Sequence, residues 1–264
     1  MERKLAWEDY SKEDMTKVYE FAEGYRKFIS ECKTERECVT EFVARAEKAG
    51  FLNLADAIKA GKALKAGDRV YVNNMGKWLA MFVIGNENPE NGMNILGAHI
   101  DSPRMDIKQN PLYEDTGLAM LDTHYYGGIK KYQWVTLPLA LHGVIAKKDG
   151  TTVKVSIGDK PEDPVFGVSD LLIHLSGEQM EKKGAKVIEG ENLDLLIGSI
   201  PLPSDDEKEK EQAKDAVKAN VLRILEETYG VCEEDFLSAE IEVVPAGAAR
   251  DYGFDRSMIM GYGH

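Results

Sequence analysis

The hydrophobic residues in the first sixty positions recur every three or four residues, which is the spacing of one face of an α-helix. A first helix is predicted to begin after Ser11, where Asp14 completes a capping box, and a second after Thr34, where Glu37 does the same. A shorter helix is expected over residues 54–60. The first helix carries the longest apolar stripe, which we interpret as core packing: Met15, Val18, Tyr19, Ala22, Tyr25, Phe28 and Ile29.

From residue 69 the apolar pattern changes to that of strands. Residues 70–72 and 77–84 flank a loop that contains a glycine, which predicts a β-hairpin. The second of these strands is almost continuously apolar, so we expect it to be buried on both faces. Residues 93–96 form another apolar run, which predicts a core strand that ends close to His99. Helices followed by buried strands indicate an α/β domain.

After Lys108 the pattern becomes β-rich. Residues 109–134 hold turn signals and many aromatics without a clean period, and residues 135–141 then alternate, with Pro138 suggesting an edge strand. The sequence Lys148-Asp149-Gly150 predicts a hairpin turn. We therefore predict a first domain part over 1–108, an inserted β-rich domain over 109–243, and a return to the first domain over 244–264.

Two further elements are expected inside the inserted domain. Ser204 and Glu207 form a capping box at the start of a charged helix that Gly230 ends, and residues 240–244 alternate as a strand. The buried face of that helix is predicted to be Val217, Val221, Ile224, Leu225 and Tyr229.

Charge and cysteine content narrow the class of protein. The 264 residues carry a net charge of −13, which argues against binding to the phosphate backbone of nucleic acids. The three cysteines, Cys32, Cys38 and Cys232, match no zinc or redox spacing, so we expect buried or half-buried free thiols in a reducing compartment. The sequence shows no signal peptide and no membrane span, which predicts a cytoplasmic protein that binds no membrane.

The clearest candidate for chemistry is the segment 97–104, GAHIDSPR. His99 and Asp101 are two residues apart, so in a strand both side chains point to one face. A metal-binding histidine usually has a carboxylate on its second ring nitrogen, and Asp101 is placed to supply it. Ser102-Pro103 does not prolong a regular ladder, which predicts a position at the rim of the sheet. Taken alone, such a pair is more often a structural hydrogen bond than a metal site.

Taken in order, several motifs resemble the aspartyl aminopeptidase/aminopeptidase I family of di-zinc metallopeptidases. They are Gly97 to Pro103, the Gly127-Gly128 segment after residues 123–126, the apolar run around His174, and the ending MGYGH at 260–264. The resemblance implies a three-layer helix-covered sheet of a zinc peptidase domain, interrupted by a β-rich subunit-contact domain. It also implies a homo-oligomer formed through residues 109–243.

The resemblance implies a metallo-aminopeptidase that removes N-terminal amino acids from peptide substrates by zinc-activated water. Two zinc ions are expected in the intact enzyme, with cobalt or manganese as substitutes. His99 is similar to a metal ligand, Asp101 to the residue that orients it, and His174 to a histidine that contributes to a neighbouring subunit's active site. A single histidine in an apolar run is also typical of a core or interface residue.

The remaining family ligands are expected after His264, so the sequence resembles an N-terminal part of a longer enzyme, and we expect this chain alone to be inactive. Two alternatives are an inactive fragment that acts only in oligomer assembly and a related di-zinc deacylase or carboxypeptidase. His124 and His142 are interpreted as structural, with His142 on a polar strand face. Three charged residues near the end are interpreted as a solvated loop rather than part of a site: Arg250, Asp251 and Asp255.

Overall fold

The fold is taken from a computed structural model that describes residues 3–203 and 214–263. Contacts between residues divide the chain into two compact units. The first unit comprises Met1–Asp101 and Ala248–His264, and the second comprises Ser102–Gly247. The boundaries expected after residues 108 and 243 each fall inside a strand of the second unit, one over 104–115 and the other over 239–245. The composition of the chain changes only after the first of these strands has begun.

Three helices follow one another in the first unit: α1 (Lys12–Glu31), α2 (Glu35–Lys48) and α3 (Leu54–Lys59). Both predicted capping boxes are confirmed, since Ser11 and Asp14 bond each other's backbone N–H, and so do Thr34 and Glu37. Each box satisfies two N–H groups that the first turn of a helix leaves without a partner. The starts of α1 and α2 are therefore determined locally.

The strands of the first unit are short. A three-stranded sheet has the order β1-β2-β3, formed by β1 (Leu52–Asn53), β2 (Arg69–Asn74) and β3 (Trp78–Val83). The predicted hairpin is confirmed, and its turn places Met75 and Gly76 at positive φ. A separate two-stranded ribbon pairs β10 (Arg250–Tyr252) with β11 (Met258–Met260).

The expectation that the apolar strand β3 is buried on both faces is wrong. Trp78, Met81, Phe82 and Val83 are all exposed. In the part of the chain that the structure describes, β3 is an edge strand, with β2 as its only neighbour in the sheet. A hydrophobic sequence indicates what a strand can bury, but burial requires a second surface to cover it.

The core of the first unit is centred on the end of α1. Phe28 and Ile29 are buried together with Cys32, Cys38 and Ala249, and the rings of Phe28 and Phe42 stack with centroids 5.2 Å apart. The interpretation of the whole α1 stripe as core packing is wrong, because of that stripe Phe28 and Ile29 are buried whereas Tyr19 and Tyr25 are exposed.

The second unit is built on one six-stranded antiparallel sheet with the order β7-β6-β9-β4-β5-β8. Its strands are β4 (Arg104–Asp115), β5 (Leu118–Tyr126), β6 (Leu139–Ala146), β7 (Thr152–Ile157), β8 (Leu195–Gly198) and β9 (Ala239–Pro245). Strand β6 pairs on both sides, so the edge position expected from Pro138 is wrong: the proline precedes the strand and removes no ladder hydrogen bond. The α/β class of the chain is confirmed.

The longest hairpin, β4–β5, lies in the stretch where the sequence shows no clean period. Its two-residue turn is Thr116-Gly117, with both residues at positive φ. A bulge between Ile107 and Leu112 shifts the register around Pro111 and interrupts the alternation of side chains. The bulge explains the lack of a clean strand period in this part of the sequence.

The strands β6 and β9 approach so closely that one position admits only glycine. A Cβ built on Gly143 would lie 1.9 Å from the carbonyl oxygen of Glu240. Gly143 also adopts a φ of +152°, near the limit of the left-handed region. The fully buried residues nearby include Leu139, Val243 and Val244.

Among its described residues, the second unit has two α-helices: α4 (Gly177–Met180) and α5 (Ala216–Tyr229). Helix α5 ends at Gly230, which adopts the left-handed conformation as predicted. The predicted capping box of Ser204 and Glu207 lies outside the described residues. Of the face predicted to be buried, Val217 is buried and Ile224 is exposed.

Within residues 3–203 and 214–263, no helix is both long enough and apolar enough to cross a membrane.

The three thiols differ in environment, which predicts their reactivity. Cys32 and Cys38 are buried, as expected, but Cys232 is exposed, contrary to expectation. Burial raises the pKa of Cys32 to about 12, so almost none of it is thiolate at pH 8. We expect iodoacetamide to modify Cys232 at least about a hundredfold faster than Cys32, as measured by peptide mass spectrometry. Urea should equalise the three rates, and rapid labelling of Cys32 in the native protein would contradict its burial.

Candidate functional site

The structure brings the predicted pair into contact. The His99 ring nitrogen Nδ1 lies 3.1 Å from Oδ1 of Asp101 and 3.0 Å from the Asp101 backbone oxygen. Two oxygens at one ring nitrogen favour a proton on Nδ1, and this tautomer leaves the lone pair on Nε2. The His99 side chain is 67% exposed and that of Asp101 is 33% exposed. The pair has the geometry that an oriented metal ligand requires, and its role remains a prediction.

The backbone that carries the pair is not a strand. Residues 92–103 have no regular secondary structure, so the core strand expected over 93–96 is wrong. Met93 and Ile95 are exposed, and Leu96 is 100% exposed. An extended segment becomes a strand only when a neighbour accepts and donates its backbone hydrogen bonds, and none of the described strands pairs with these residues.

The rim position expected for the pair is also corrected. Ser102 and Pro103 were expected to end a ladder, but strand β4 begins at the next residue, Arg104. Pro103 directly precedes the first residue of β4, and a proline at this position removes no hydrogen bond from the ladder. The His99 segment therefore precedes a strand.

His174 belongs to the second unit and is exposed. It lies in a single 3₁₀ turn, Ile173–Leu175, and its apolar neighbours are exposed as well. Leu172 and Ile173 are 71% and 68% exposed, so the run is not a core segment. Of the three predicted site residues, the structure brings His99 and Asp101 together.

A zinc centre needs more ligands than this pair provides. A catalytic zinc usually takes three protein ligands and keeps one position for water. Within the described residues, no group of three or more His, Cys, Asp and Glu side chains could hold a metal ion. His99 with Asp101 fits one ligand and its orienting carboxylate, and the residues described here do not form a complete site.

His142 was expected on a polar strand face, and that expectation is wrong. It is buried, and its Nε2 lies 2.8 Å from Oδ2 of Asp159. The Asp159 carboxylate also accepts the backbone N–H of Gly247, which fixes it in place. His124 is exposed and lies 3.9 Å from Asp106.

Sequence reasoning missed a buried ion cluster in the middle of the six-stranded sheet. The Nε of Arg104 lies 2.9 Å from Asp106 and 3.1 Å from Glu242, and its guanidinium carbon is 4.2 Å from the ring centroid of Tyr126. Arg104 and Glu242 are both buried. Asp106 and Glu242 are opposite each other on β4 and β9, a pairing between distant segments that no local pattern reveals.

The three charged residues near the end are exposed, but the loop expected for all three is wrong for Arg250 and Asp251. Arg250 and Asp251 lie in β10, and Asp255 lies in the turn that follows. Asp251 is placed between Arg26, at 3.7 Å, and Arg256, at 3.6 Å. The last residue named in the sequence analysis, His264, lies outside the described residues.

Comparison with known families gives a match over most of the chain. Residues 28–264 match the Peptidase M18 family, described as aminopeptidase I zinc metalloprotease. A probable M18 family aminopeptidase 1 of Clostridium acetobutylicum is 62% identical over 262 residues, which is 99% of this chain and 55% of that protein. A protein of the same description from Thermotoga maritima is 48% identical over 263 residues, 100% of this chain and 54% of that protein.

Solved structures show the same similarity in three dimensions. The M18 aminopeptidase of Thermotoga maritima has a TM-score of 0.87 at 48% identity, covering 98% of this chain and 54% of that chain. Aminopeptidase I of Clostridium acetobutylicum has a TM-score of 0.86 at 61% identity, covering 99% and 56%. A structure described as the mApe1 dodecamer of Saccharomyces cerevisiae shares the fold, with a TM-score of 0.62 at 19% identity over 90% of this chain and 51% of that chain. The chain spans about half the length of the curated relatives it matches.

The buried ion cluster predicts a large effect of one substitution. Arg104→Met removes the guanidinium and leaves Asp106 and Glu242 without it, so we expect a loss of about 3–5 kcal/mol in the free energy of unfolding. Urea denaturation followed by circular dichroism measures this loss. Arg256→Met is the matched control, because its ion pair with Asp251 is on the surface and is worth about 1 kcal/mol or less. Equal losses of unfolding free energy in the two variants would show that the burial of Arg104 does not increase its contribution to stability.

Proposed function

This chain belongs to the Peptidase M18 family of aminopeptidase I zinc metalloproteases, and we propose that it contributes to a metallo-aminopeptidase that removes N-terminal residues from peptides. The observation that carries the proposal is the contact between His99 and Asp101. An exposed histidine whose Nδ1 is held by a carboxylate presents Nε2 in one orientation, as metal-binding histidines do.

The roles of the two residues follow from this geometry. His99 would bind a zinc ion through Nε2, and Asp101 would accept a hydrogen bond from Nδ1–H and prevent the ring from rotating. Zinc, when bound, lowers the pKa of a coordinated water and polarises a peptide carbonyl. The exposure of His99 supports its access to an ion and to a peptide. We infer that further ligands, for one ion or for two, come from residues outside those that the structure describes.

His174 is proposed to act in a neighbouring subunit. The His174 ring lies on an exposed turn. The apolar side chains of Leu172, Ile173 and Leu175 around it form an exposed hydrophobic patch, and patches of this kind often mark protein–protein contacts. A contact with a second copy would bury this patch and bring the histidine to that copy's surface. The yeast protein that shares the fold is described as a dodecamer, so the fold is compatible with assembly.

Assembly without chemistry is the second candidate function. The observation that favours it is that the described residues hold one potential zinc ligand with its orienting carboxylate and no larger metal-binding group. In this case the chain would associate through its second unit and would bind no substrate. For either function we propose a cytoplasmic location, which is supported by the buried, reduced thiols of Cys32 and Cys38.

The metal-binding proposal gives a prediction for this chain. With one zinc ligand among the described residues, we expect less than one zinc per chain to remain after dialysis, and no turnover of aminoacyl anilides. His99→Asn should lower the retained zinc further, whereas His124→Asn, at another exposed histidine, should not. Stoichiometric zinc together with turnover by the 264-residue chain would contradict the prediction. Elemental analysis and an absorbance assay measure the two quantities.

The activity itself is tested in a longer relative. The Clostridium acetobutylicum protein, about twice as long as this chain, should hydrolyse aminoacyl anilides in the presence of zinc. Substitution of its histidine aligned with His99 by asparagine should abolish both zinc retention and hydrolysis. An active variant with full zinc would exclude this histidine as a ligand.

The proposed assembly surface gives a second prediction. Ile173→Asp places a charge in the exposed apolar patch, so we expect the mass measured by size-exclusion chromatography with light scattering to fall towards that of a monomer. Ile58→Asp is the matched control, because Ile58 is also 68% exposed but lies in helix α3 of the first unit. His174→Ala should leave the mass unchanged. A wild-type chain that is monomeric at all concentrations would overturn this proposal.

A further inference from the structure

A pocket of about 620 Å³ lies in the first unit, between helix α1 and the ribbon β10–β11. Its volume is within the range of small-ligand and peptide side-chain sites. Its lining includes the aromatic residues Trp7, Tyr19 and Tyr25 and the apolar Ile259. It also includes Asp255 and Arg256, and the Arg256 guanidinium lies 3.6 Å from Asp251. Tyr19 and Tyr25 belong to the apolar stripe of α1 that was expected to pack in a core, and both are exposed.

One carboxylate in the lining has no basic partner. Within the described residues, no Lys, Arg or His side chain lies within 4.0 Å of Asp255, whereas Asp251 has two arginines nearby and Glu23 is paired with Arg26. The Asp255 carboxylate accepts hydrogen bonds from the backbone N–H of Ser257, at 3.2 Å, and from its hydroxyl, at 3.0 Å. These two hydrogen bonds lower the pKa of Asp255, so it stays ionised at neutral pH.

The aromatic wall is joined to the same turn. The Tyr19 hydroxyl donates to the backbone oxygen of Asp255 at 3.4 Å, which connects α1 to the turn that carries the carboxylate. Flat aromatic surfaces next to a carboxylate suit a planar cation, since a guanidinium stacks on rings and also donates to carboxylate oxygens. A lysine ammonium is more strongly hydrated and gains less from the rings.

We propose that this pocket binds the side chain of an arginine in a peptide segment of a partner protein, with the guanidinium at Asp255 and the methylene stem against Tyr19 and Tyr25. The net charge of −13 on the chain favours a basic partner. The site is separate from the His99 pair, since neither His99 nor Asp101 is in its lining.

The probe is the blocked tripeptide acetyl-Leu-Arg-Leu-amide, whose acetylated amine makes it unsuitable as an aminopeptidase substrate. Isothermal titration calorimetry with the 264-residue chain should detect saturable binding. Acetyl-Leu-Gln-Leu-amide should bind about tenfold more weakly, since it lacks the charge. Asp255→Asn should weaken binding of the arginine peptide about five- to tenfold, because asparagine still accepts from Ser257 but carries no charge.

Two further variants separate binding from folding. Tyr25→Ala removes a ring from the pocket and should weaken binding severalfold, with the circular dichroism spectrum unchanged. Ile58→Asp, in helix α3 and not in the pocket lining, should bind as the wild type does. Equal affinity for the arginine and glutamine peptides, no binding of the arginine peptide, or full binding by both folded pocket variants would each overturn the proposal.

Discussion

The requirement that backbone hydrogen bonds be satisfied determines where this chain is regular and where it is not. In the second unit, the inner strands β6, β9, β4 and β5 each have two neighbours, and the sheet is continuous from β7 to β8. In the first unit, β3 has one described neighbour, and the apolar residues 93–96 have none. A hydrophobic sequence without a neighbour does not become a strand. The same chain therefore contains a well-formed sheet and an exposed apolar segment.

The histidine–carboxylate pair does not depend on a sheet. His99 and Asp101 are two residues apart, and their contact forms within irregular backbone through one side chain and one carbonyl oxygen. A local contact of this kind can orient a ring, but it cannot assemble the three ligands that a catalytic zinc takes. The chemistry proposed for the family thus depends on residues that are brought together from far apart in sequence.

Charged groups in this protein differ in how fully they are neutralised. Arg104 is buried with two carboxylates and an aromatic ring, an arrangement in which desolvation makes each partner costly to remove. Asp251 and Glu23 have arginines nearby at the surface, where such pairs contribute little to stability. The Asp255 carboxylate accepts two hydrogen bonds from Ser257, which lower its pKa and keep it ionised.

The sequence by itself determined the features that are made by neighbours along the chain. The capping boxes at Ser11 and Thr34, the hairpin turn at Met75-Gly76 and the contact of His99 with Asp101 all join residues at most a few positions apart. The ordered motifs also identified the family. Tertiary structure alone decided which apolar residues are covered, as Leu96, β3 and the first turns of α1 show. It also decided the position of Arg104 against Glu242 and the burial of His142, because register between distant strands is not encoded in any local pattern.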